Sequence, residues 1–306
     1  MASPRENKIL IIIPAHNEEA FIGRCLESFA AQTRTPDELR VVSDHCTDNT
    51  SGIVRGYQEQ YPWIRLLERK SSPAHQPGPK VVETFRAGLE MGWDGFDFIG
   101  KFDADILLPA RYLEQILQAF REDPDLGMCS GELYIEHQGK WTYEPIANPG
   151  HVRGPVKLYS RKCFEAIGGL RPYIGWDTAD TLLARYHGFS TGTLPDLQVK
   201  HLRPTGSGYS RKNAALQGRA LYNLRYGWAL SLVASFKMGW KRRAPALPFL
   251  AMAGYLKAWL TGQDRMLNKA EGAYARHWRW QQVRGRLVQG FRNGQAGSPA
   301  GERRAQ

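Results

Sequence analysis

The 306-residue chain has four cysteines and no CxxC pair. Cys25, Cys46, Cys129 and Cys163 stand far apart, which argues against a disulfide framework and makes reduced thiols in a cytosolic compartment the expectation. Nowhere does a run of about 18 uncharged apolar residues occur, so a spanning helix is not expected. The stretch Ile9 to Ile13 that follows the start is too short for a secretory segment, and no leader is expected. The longer apolar segments, Tyr226 to Phe236 and Ala244 to Leu256, are each ended by lysine, and the second leaves a surface-lying or re-entrant helix open. Acidic residues are nearly missing from the last third. Residues 200–306 hold 3 Asp+Glu against 20 Lys+Arg, whereas residues 1–199 hold 27 against 21. The net charge of +11 therefore belongs to the C-terminal third and not to the body. Hydrophobic content of 42% and charged content of 23% are ordinary for a globular protein and exclude whole-chain disorder. The length suits one large α/β domain with an appendage, or two modest domains.

Residues 8–131 alternate short apolar runs with helical patterns, the signature of βαβ units around a mostly parallel sheet. Ile9-Leu10-Ile11-Ile12-Ile13 reads as a strand buried on both faces. Phe21, Ile22, Cys25, Leu26 and Phe29 repeat at helical spacing. Strands are predicted at Leu39 to Val42, Ile64 to Leu67 and Phe96 to Phe102. Helices are predicted at Thr50 to Gln60, Pro79 to Met91 and Arg111 to Arg121. Beyond residue 131 the pattern loosens into a Gly/Pro-rich stretch. It resumes with helices at Arg161 to Ile167 and Thr178 to Tyr186, and an extended run at Gly192 to His201. From Asn213 to Arg292 the reading is helical and basic, and residues 293–306 read as a disordered tail.

Ligands of an open parallel sheet bind beyond the carboxyl ends of its strands. Three such ends carry polar loops here: Pro14-Ala15-His16-Asn17-Glu18-Glu19, Ser43-Asp44-His45-Cys46-Thr47-Asp48-Asn49-Thr50, and Phe102-Asp103-Ala104-Asp105. Asp48 and Thr50 are explained by helix capping. Three polar ends in series on one sheet edge are not. Asp103 and Asp105, two apart at a strand end, point to one side, and like charges that close favour a cation between them. A hard divalent ion shared with the oxygens of a diphosphate suits that pair.

These segments, in this order, resemble the inverting family 2 glycosyltransferases of the GT-A fold. Gly175-Trp176-Asp177-Thr178-Ala179-Asp180, Gly154-Pro155-Val156-Lys157-Leu158-Tyr159 and His201-Leu202-Arg203-Pro204-Thr205-Gly206 extend the likeness over roughly residues 8–230, toward a bacterial, membrane-associated branch. The resemblance implies an α/β GT-A catalytic domain over residues 1–205, with a donor half at 8–131 and an acceptor half at 132–205. A basic amphipathic helical region at 206–292 and a disordered tail would follow. It implies that Pro14, His16 and Glu18 line a nucleobase pocket, that Asp44 accepts a hydrogen bond from the base, and that Lys80 lies near the donor. Asp103, with Ala104 beside it, would face the ribose or a metal-bound water, and Asp105 would hold Mg²⁺ or Mn²⁺. His201 is either a further metal ligand or a hydrogen-bonded structural histidine. Asp177 is the implied general base. Asp180 either shares its side of the helix or stands as a first-turn acid stabilised by the helix dipole. Ser43 stands where the family's first Asp of a pair is usual, and His16 where a Tyr is common. The QxxRW motif of the processive polymerases is absent, which argues against long-chain synthesis.

The basic third interleaves Arg211, Lys212, Arg219, Arg225 and Lys241-Arg242-Arg243 with Tyr222, Trp228, Phe236, Trp240 and Trp259. Basic flanks with Trp and Tyr edges suit helices lying in an anionic membrane interface. The apolar segments are too greasy for a nucleic-acid face, so no nucleic acid is expected. The expected function is metal-dependent, inverting transfer of a sugar from a nucleotide donor to a hydroxyl of a glycan or lipid-linked acceptor. The expected setting is the cytoplasmic face of a membrane, in making a surface polysaccharide or glycolipid. The rivals are a polyprenyl-phosphate sugar synthase resembling dolichyl-phosphate mannose synthase and a non-enzymatic sugar-nucleotide-binding scaffold. Nucleotidyl transfer is disfavoured because the first loop has no glycine. Donor choice would rest on the loops Ser71 to Pro79 and Tyr134 to Arg153.

Overall fold

The computed structural model describes residues 7–71, 78–145, 150–204 and 211–296, the side chains at 211, 212 and 286–296 excepted. The chain divides into two units, residues 1–210 and 211–306. Unit one begins with β1 (Ile9–Ala15), α1 (Ile22–Ala30), β2 (Glu38–Asp44), α2 (Thr50–Gln60), β3 (Ile64–Arg69), α3 (Pro79–Leu89) and β4 (Phe98–Phe102). These strands run parallel in the order β3-β2-β1-β4, with β1 central. Every residue from Ile9 to Ile13 is fully buried, as a strand covered on both faces requires. Ile22, Cys25, Leu26 and Phe29 form the face by which α1 packs on it.

After β4 the chain makes β5 (Ile106–Leu107), α4 (Tyr112–Glu122), β6 (Leu126–His137), β7 (Lys140–Tyr143), β8 (Val156–Ser160), α5 (Arg161–Ala166), α6 (Trp176–Tyr186) and β9 (Ser190–His201). The sheet continues as β4-β8-β6-β9-β5, with β8 antiparallel to both neighbours and β7 paired to β6. The result is a mixed, mostly parallel α/β sheet, the architecture that the resemblance implies.

The 12-residue β6 falls where the sequence pattern loosens. Each of its two glycines marks a close approach. A methyl on Gly127 would lie 2.6 Å from Phe189 Cβ, and one on Gly131 would collide with the Leu197 carbonyl. The register of β6 against β9 also shifts between Gly131 and Glu132, which interrupts the alternation of faces.

Unit two is helical: α7 (Arg211–Asn223), α8 (Gly227–Lys241), α9 (Leu247–Leu260) and α10 (Lys269–Ala296). The helix α10 runs to Ala296, past the expected end at Arg292, and residues 297–306 of the expected tail lie outside the described residues. Among the described residues no helix is long and apolar enough to cross a membrane.

Candidate active site

The carboxyl ends of β1 and β2 lie side by side, with Ala15 opposite Ser43, and their loops are stitched together. Asn17 Oδ1 accepts from the Thr47 N–H at 2.8 Å, and the Glu18 N–H donates to Thr50 Oγ1 at 2.8 Å. The Glu19 N–H donates to Asp48 at 3.0 Å, and Glu19 accepts from the Asn49 N–H at 2.8 Å. Asn17 and His45 adopt φ of 54° and 53°, a region that short polar and imidazole side chains tolerate better than most. Asp48 also accepts from the Thr50 N–H and hydroxyl at the start of α2, whose N-cap position is Asn49 and carries no side-chain cap bond. The polar character of these two loops is thus partly structural.

What remains for a ligand is more select. His16 is exposed, and its Nδ1–H donates to the Asp44 carbonyl at 2.8 Å, which fixes the imidazole over the β2 end. Pro14 is half-buried at the end of β1. Ser43 and Asp44 point to opposite faces of β2. Ser43, standing where an Asp is usual, bonds Ser51 of α2 at 2.8 Å. The Asp44 carboxylate accepts from the Ser71 N–H and hydroxyl and from the Thr84 hydroxyl. Burial pushes its pKa up, but those hydrogen bonds from Ser71 and Thr84 outweigh it and hold the group below the usual carboxylate range. With three of about four acceptor positions filled, Asp44 has little more than one left for a base. Lys80 is half-buried in the first turn of α3. Residues 72–77 and 146–149, within the two loops expected to set donor choice, lie outside the described residues.

Asp103, Ala104 and Asp105 follow β4 directly. Asp103 is paired with the buried Lys101 ammonium, which also donates to the Gly154 carbonyl at 3.1 Å. Ala104 is buried and packs in the main core. Asp105 is 4% exposed, and the short β5 explains its surroundings. Ile106 pairs with His201, so the end of β9 is laid against the aspartate. Arg203 donates to Asp105 at 3.0 Å and to Glu18 at 2.6 Å, and His201 Nε2 lies 3.5 Å from Asp105. On its other side His201 Nδ1 is 3.3 Å from Glu144, which also binds Arg153 at 2.6 Å. Burial lowers the His201 pKa, but its hydrogen bonds to Asp105 and Glu144 prevail and hold it up to about 9. His201 thus lies between two carboxylates, within reach of both.

Burial pushes the Glu18 carboxyl up against the pull of Arg203, and the charges of Asp105 and Asp103 push it further in the same direction. Its Oε2 is buried without a hydrogen-bond partner. Among the described residues no three His, Cys, Asp or Glu side chains form a ready-made metal cage. Mg²⁺ and Mn²⁺ are held by one or two carboxylates together with phosphate oxygens and water. Hard oxygen donors and an unmet buried carboxylate oxygen are the right chemistry for such an ion.

Asp177 stands at the start of α6, half-buried. The same Gly154 that accepts from Lys101 brings it toward Asp103, since a methyl at residue 154 would lie 3.5 Å from Asp177 Cβ. The turn is held from below. Lys157 Nζ donates to the Asp177 carbonyl at 2.7 Å and to both Asp180 oxygens at 2.8 Å, and the Tyr159 hydroxyl donates to Asp180 at 2.6 Å. Lys157 and Asp180 are buried, so Asp180 is an anchor in the core and neither a partner of Asp177 nor an exposed first-turn acid. The sequence reading gave no role to Lys101, Lys157, Glu144 or Arg203, although Lys157 and Arg203 stand in segments that carry the resemblance. For Lys157 and Tyr159 the signal was there, a lysine and a tyrosine two apart on one face of an otherwise apolar strand.

Gly78 ties the donor and acceptor sides together. It precedes α3 with φ of 96°, and a methyl there would sit 2.8 Å from Ile174 Cα and 3.2 Å from the Tyr173 carbonyl, just ahead of α6. Gly78→Ala is expected to cost about 1–3 kcal/mol in backbone strain alone. The clash adds to it and displaces the Asp177 turn. A lower melting midpoint together with reduced turnover would bear this out; an unchanged midpoint would contradict it.

Residues 4–148 match the family model described as "Glycosyltransferase like family 2". The chain is 29% identical over 154 residues to the uncharacterized glycosyltransferase YibD of Escherichia coli, covering 49% of this chain and 42% of YibD. It is 23% identical over 268 residues to the beta-monoglucosyldiacylglycerol synthase of Synechocystis, covering 80% of this chain and 54% of that protein. The chain thus spans about half the length of these curated relatives. The mannosyltransferase PcManGT of Pyrobaculum calidifontis, solved with GDP-Man and Mn²⁺, superposes with a TM-score of 0.55 at 19% identity, over 89% of this chain and 86% of that one. The ordered loops, the strand order and these matches agree that residues 4–148 resemble the family 2 glycosyltransferases and that the fold is the GT-A fold.

Proposed function

We propose that the chain transfers a sugar from a nucleoside-diphosphate donor to an acceptor hydroxyl with inversion at the anomeric carbon. The observation that carries this reading is the meeting, around Gly154, of the Asp103 segment at the β4 end with the Asp177 turn of α6. One segment suits the diphosphate and the other the acceptor.

In this reading the β1 and β2 loops receive the base, with His16 and Pro14 at its edge and the last acceptor position of Asp44 toward it. Glu18, Asp103 and Asp105 form the acidic floor beneath the diphosphate, with the Arg203 guanidinium against two of them. Asp105 and Asp103 would hold Mg²⁺ or Mn²⁺, which when bound offsets the charge that develops on the departing diphosphate. Asp177 takes the proton of the attacking hydroxyl, and attack from the face opposite the leaving group inverts the sugar. Lys157 keeps that carboxylate in place through the Asp177 carbonyl. The relatives' names support a glycan or lipid-linked acceptor, the Synechocystis protein being a glycolipid synthase, and PcManGT with Mn²⁺ supports the metal. Work at the cytoplasmic face of a membrane, in building a polysaccharide or glycolipid, belongs to the same proposal.

The product's anomeric configuration, read by NMR, tests the stereochemistry. Inversion relative to the donor, with turnover abolished by EDTA and restored by Mn²⁺ or Mg²⁺, is the expected result. Retention of configuration, or EDTA-resistant turnover, would refute inversion or metal dependence respectively.

A further inference from the structure

The second unit places its side chains the wrong way round for water. On α8 the buried positions include Ser231, Ser235 and Gly239, while Trp228, Leu232, Phe236 and Trp240, every fourth residue, are exposed, Trp240 at 88%. On α9 Pro248, Ala251, Tyr255 and Ala258 face inward, and Phe249, Leu256, Trp259 and Leu260 face out. A helix packed on a soluble core does the reverse.

The inward residues are small because the helices touch at the backbone. Methyls on Gly218 of α7 and Gly254 of α9 would collide with the carbonyls of Ala251 and Ala215, and one on Gly239 would lie 2.7 Å from Pro248 Cδ. The Ser231 and Ser235 hydroxyls are buried without hydrogen-bond partners. Small and hydroxyl residues between helices, with large apolar groups outside, is the packing helices adopt in lipid.

The helices α8 and α9 form an antiparallel hairpin. The Trp228 and Trp259 rings lie 5.9 Å apart, and Phe236 and Phe249 lie 6.2 Å apart, so the exposed rings make one continuous ridge. Exposed Lys237, Lys241, Arg242, Arg243 and Lys257 border it, and no Asp or Glu occurs between Asp196 and Asp264. The 15 and 14 residues of the two helices span about 22 Å at about 1.5 Å each, short of the roughly 30 Å hydrocarbon core. A second copy of the chain would set this cationic border against itself. A sheet of phosphate headgroups complements it.

We infer that the α8–α9 hairpin lies in the interfacial plane of an anionic bilayer. Its Trp, Phe and Leu ridge sinks among the acyl chains while the lysines and arginines reach out to the headgroup phosphates. This face needs no donor site, so it stands or falls apart from the transferase reading.

The test uses the full chain with vesicles of pure phosphatidylcholine, and with vesicles containing about a third phosphatidylglycerol, chosen so that charge contributes as expected for basic interfacial helices. Flotation with the anionic vesicles, a blue shift of tryptophan emission, and much weaker binding to neutral vesicles or at high salt are expected. Trp240→Glu with Phe249→Glu, at two well-exposed positions, should keep the circular dichroism spectrum and melting midpoint while lowering vesicle binding at least tenfold. Folded protein that fails to float with anionic vesicles would overturn the inference, as would undiminished binding by the double variant. So would a dimer in light scattering that only the double variant dissociates, because the ridge would then belong to a second copy.

Discussion

Asp177→Asn is expected to lower kcat by about 10² to 10⁴, the range a positioned general base supplies, and to leave donor affinity unchanged. The hydrogen bonds that fix its turn go to the main-chain carbonyl, which the substitution keeps. The melting midpoint should therefore stay where it is, and the loss should appear in the chemical step alone. Donor affinity, melting midpoint and turnover measured on one preparation separate these effects. A variant that keeps most of its turnover would mean the acceptor needs no base. A lipid phosphate is such an acceptor, so that result would favour the polyprenyl-phosphate reaction over transfer to a hydroxyl.

Lys157→Met should have the largest effect on stability. The ammonium is fully buried among Asp180, the Tyr159 hydroxyl that shares this carboxylate, and the Asp177 carbonyl. Burial pushes the Asp180 carboxyl above its usual range, and the Lys157 charge is the chief influence pulling it back. Removing the cation alone strands a buried acid, a loss of about 3–5 kcal/mol. Replacing both, as Lys157→Met with Asp180→Leu, removes the stranded charge and should recover most of that loss, because buried pairs exchange for apolar groups at little net cost. Denaturant titration of both variants checks this. A single variant as stable as the parent, or a double variant no better than the single, would contradict the account. Below the melting range the recovered double variant should still turn over slowly, since the Asp177 carbonyl has lost its Lys157 donor and keeps only the longer bond from Thr181.

The donor half was legible because its signals are local. The apolar run at Ile9 to Ile13, the helical stripe of Ile22, Cys25, Leu26 and Phe29, and the aspartates after β4 each declare themselves within a few residues. What escaped depends on distant partners. Arg203 matters because two-residue β5 lays the end of β9 against Asp105, a pairing of residues about a hundred positions apart. Glu144 counts only once it lies between His201 and Arg153. Asp180 sits three residues after Asp177 in the helix, and sequence does not say that it turns inward to a lysine on β8. The reason for the glycines of β6 lies in distant neighbours, the Phe189 and Cys163 side chains at Gly127 and the Leu197 carbonyl at Gly131. In the C-terminal unit the basic and aromatic interleaving was readable, but the placement of small residues inside and large ones outside needed the helix pairing.

The measurement that most directly tests the central claim is nucleoside diphosphate release from UDP-, GDP- and dTDP-sugars, with Mn²⁺ or Mg²⁺, by the parent protein and by Asp105→Asn. The parent should release the diphosphate from one donor class only with metal present, and the variant, checked for an intact melting transition, should not. Equal release by a folded Asp105→Asn variant, or neither release nor binding of any donor by the parent, would contradict the placement of the donor site at the ends of β1, β2 and β4.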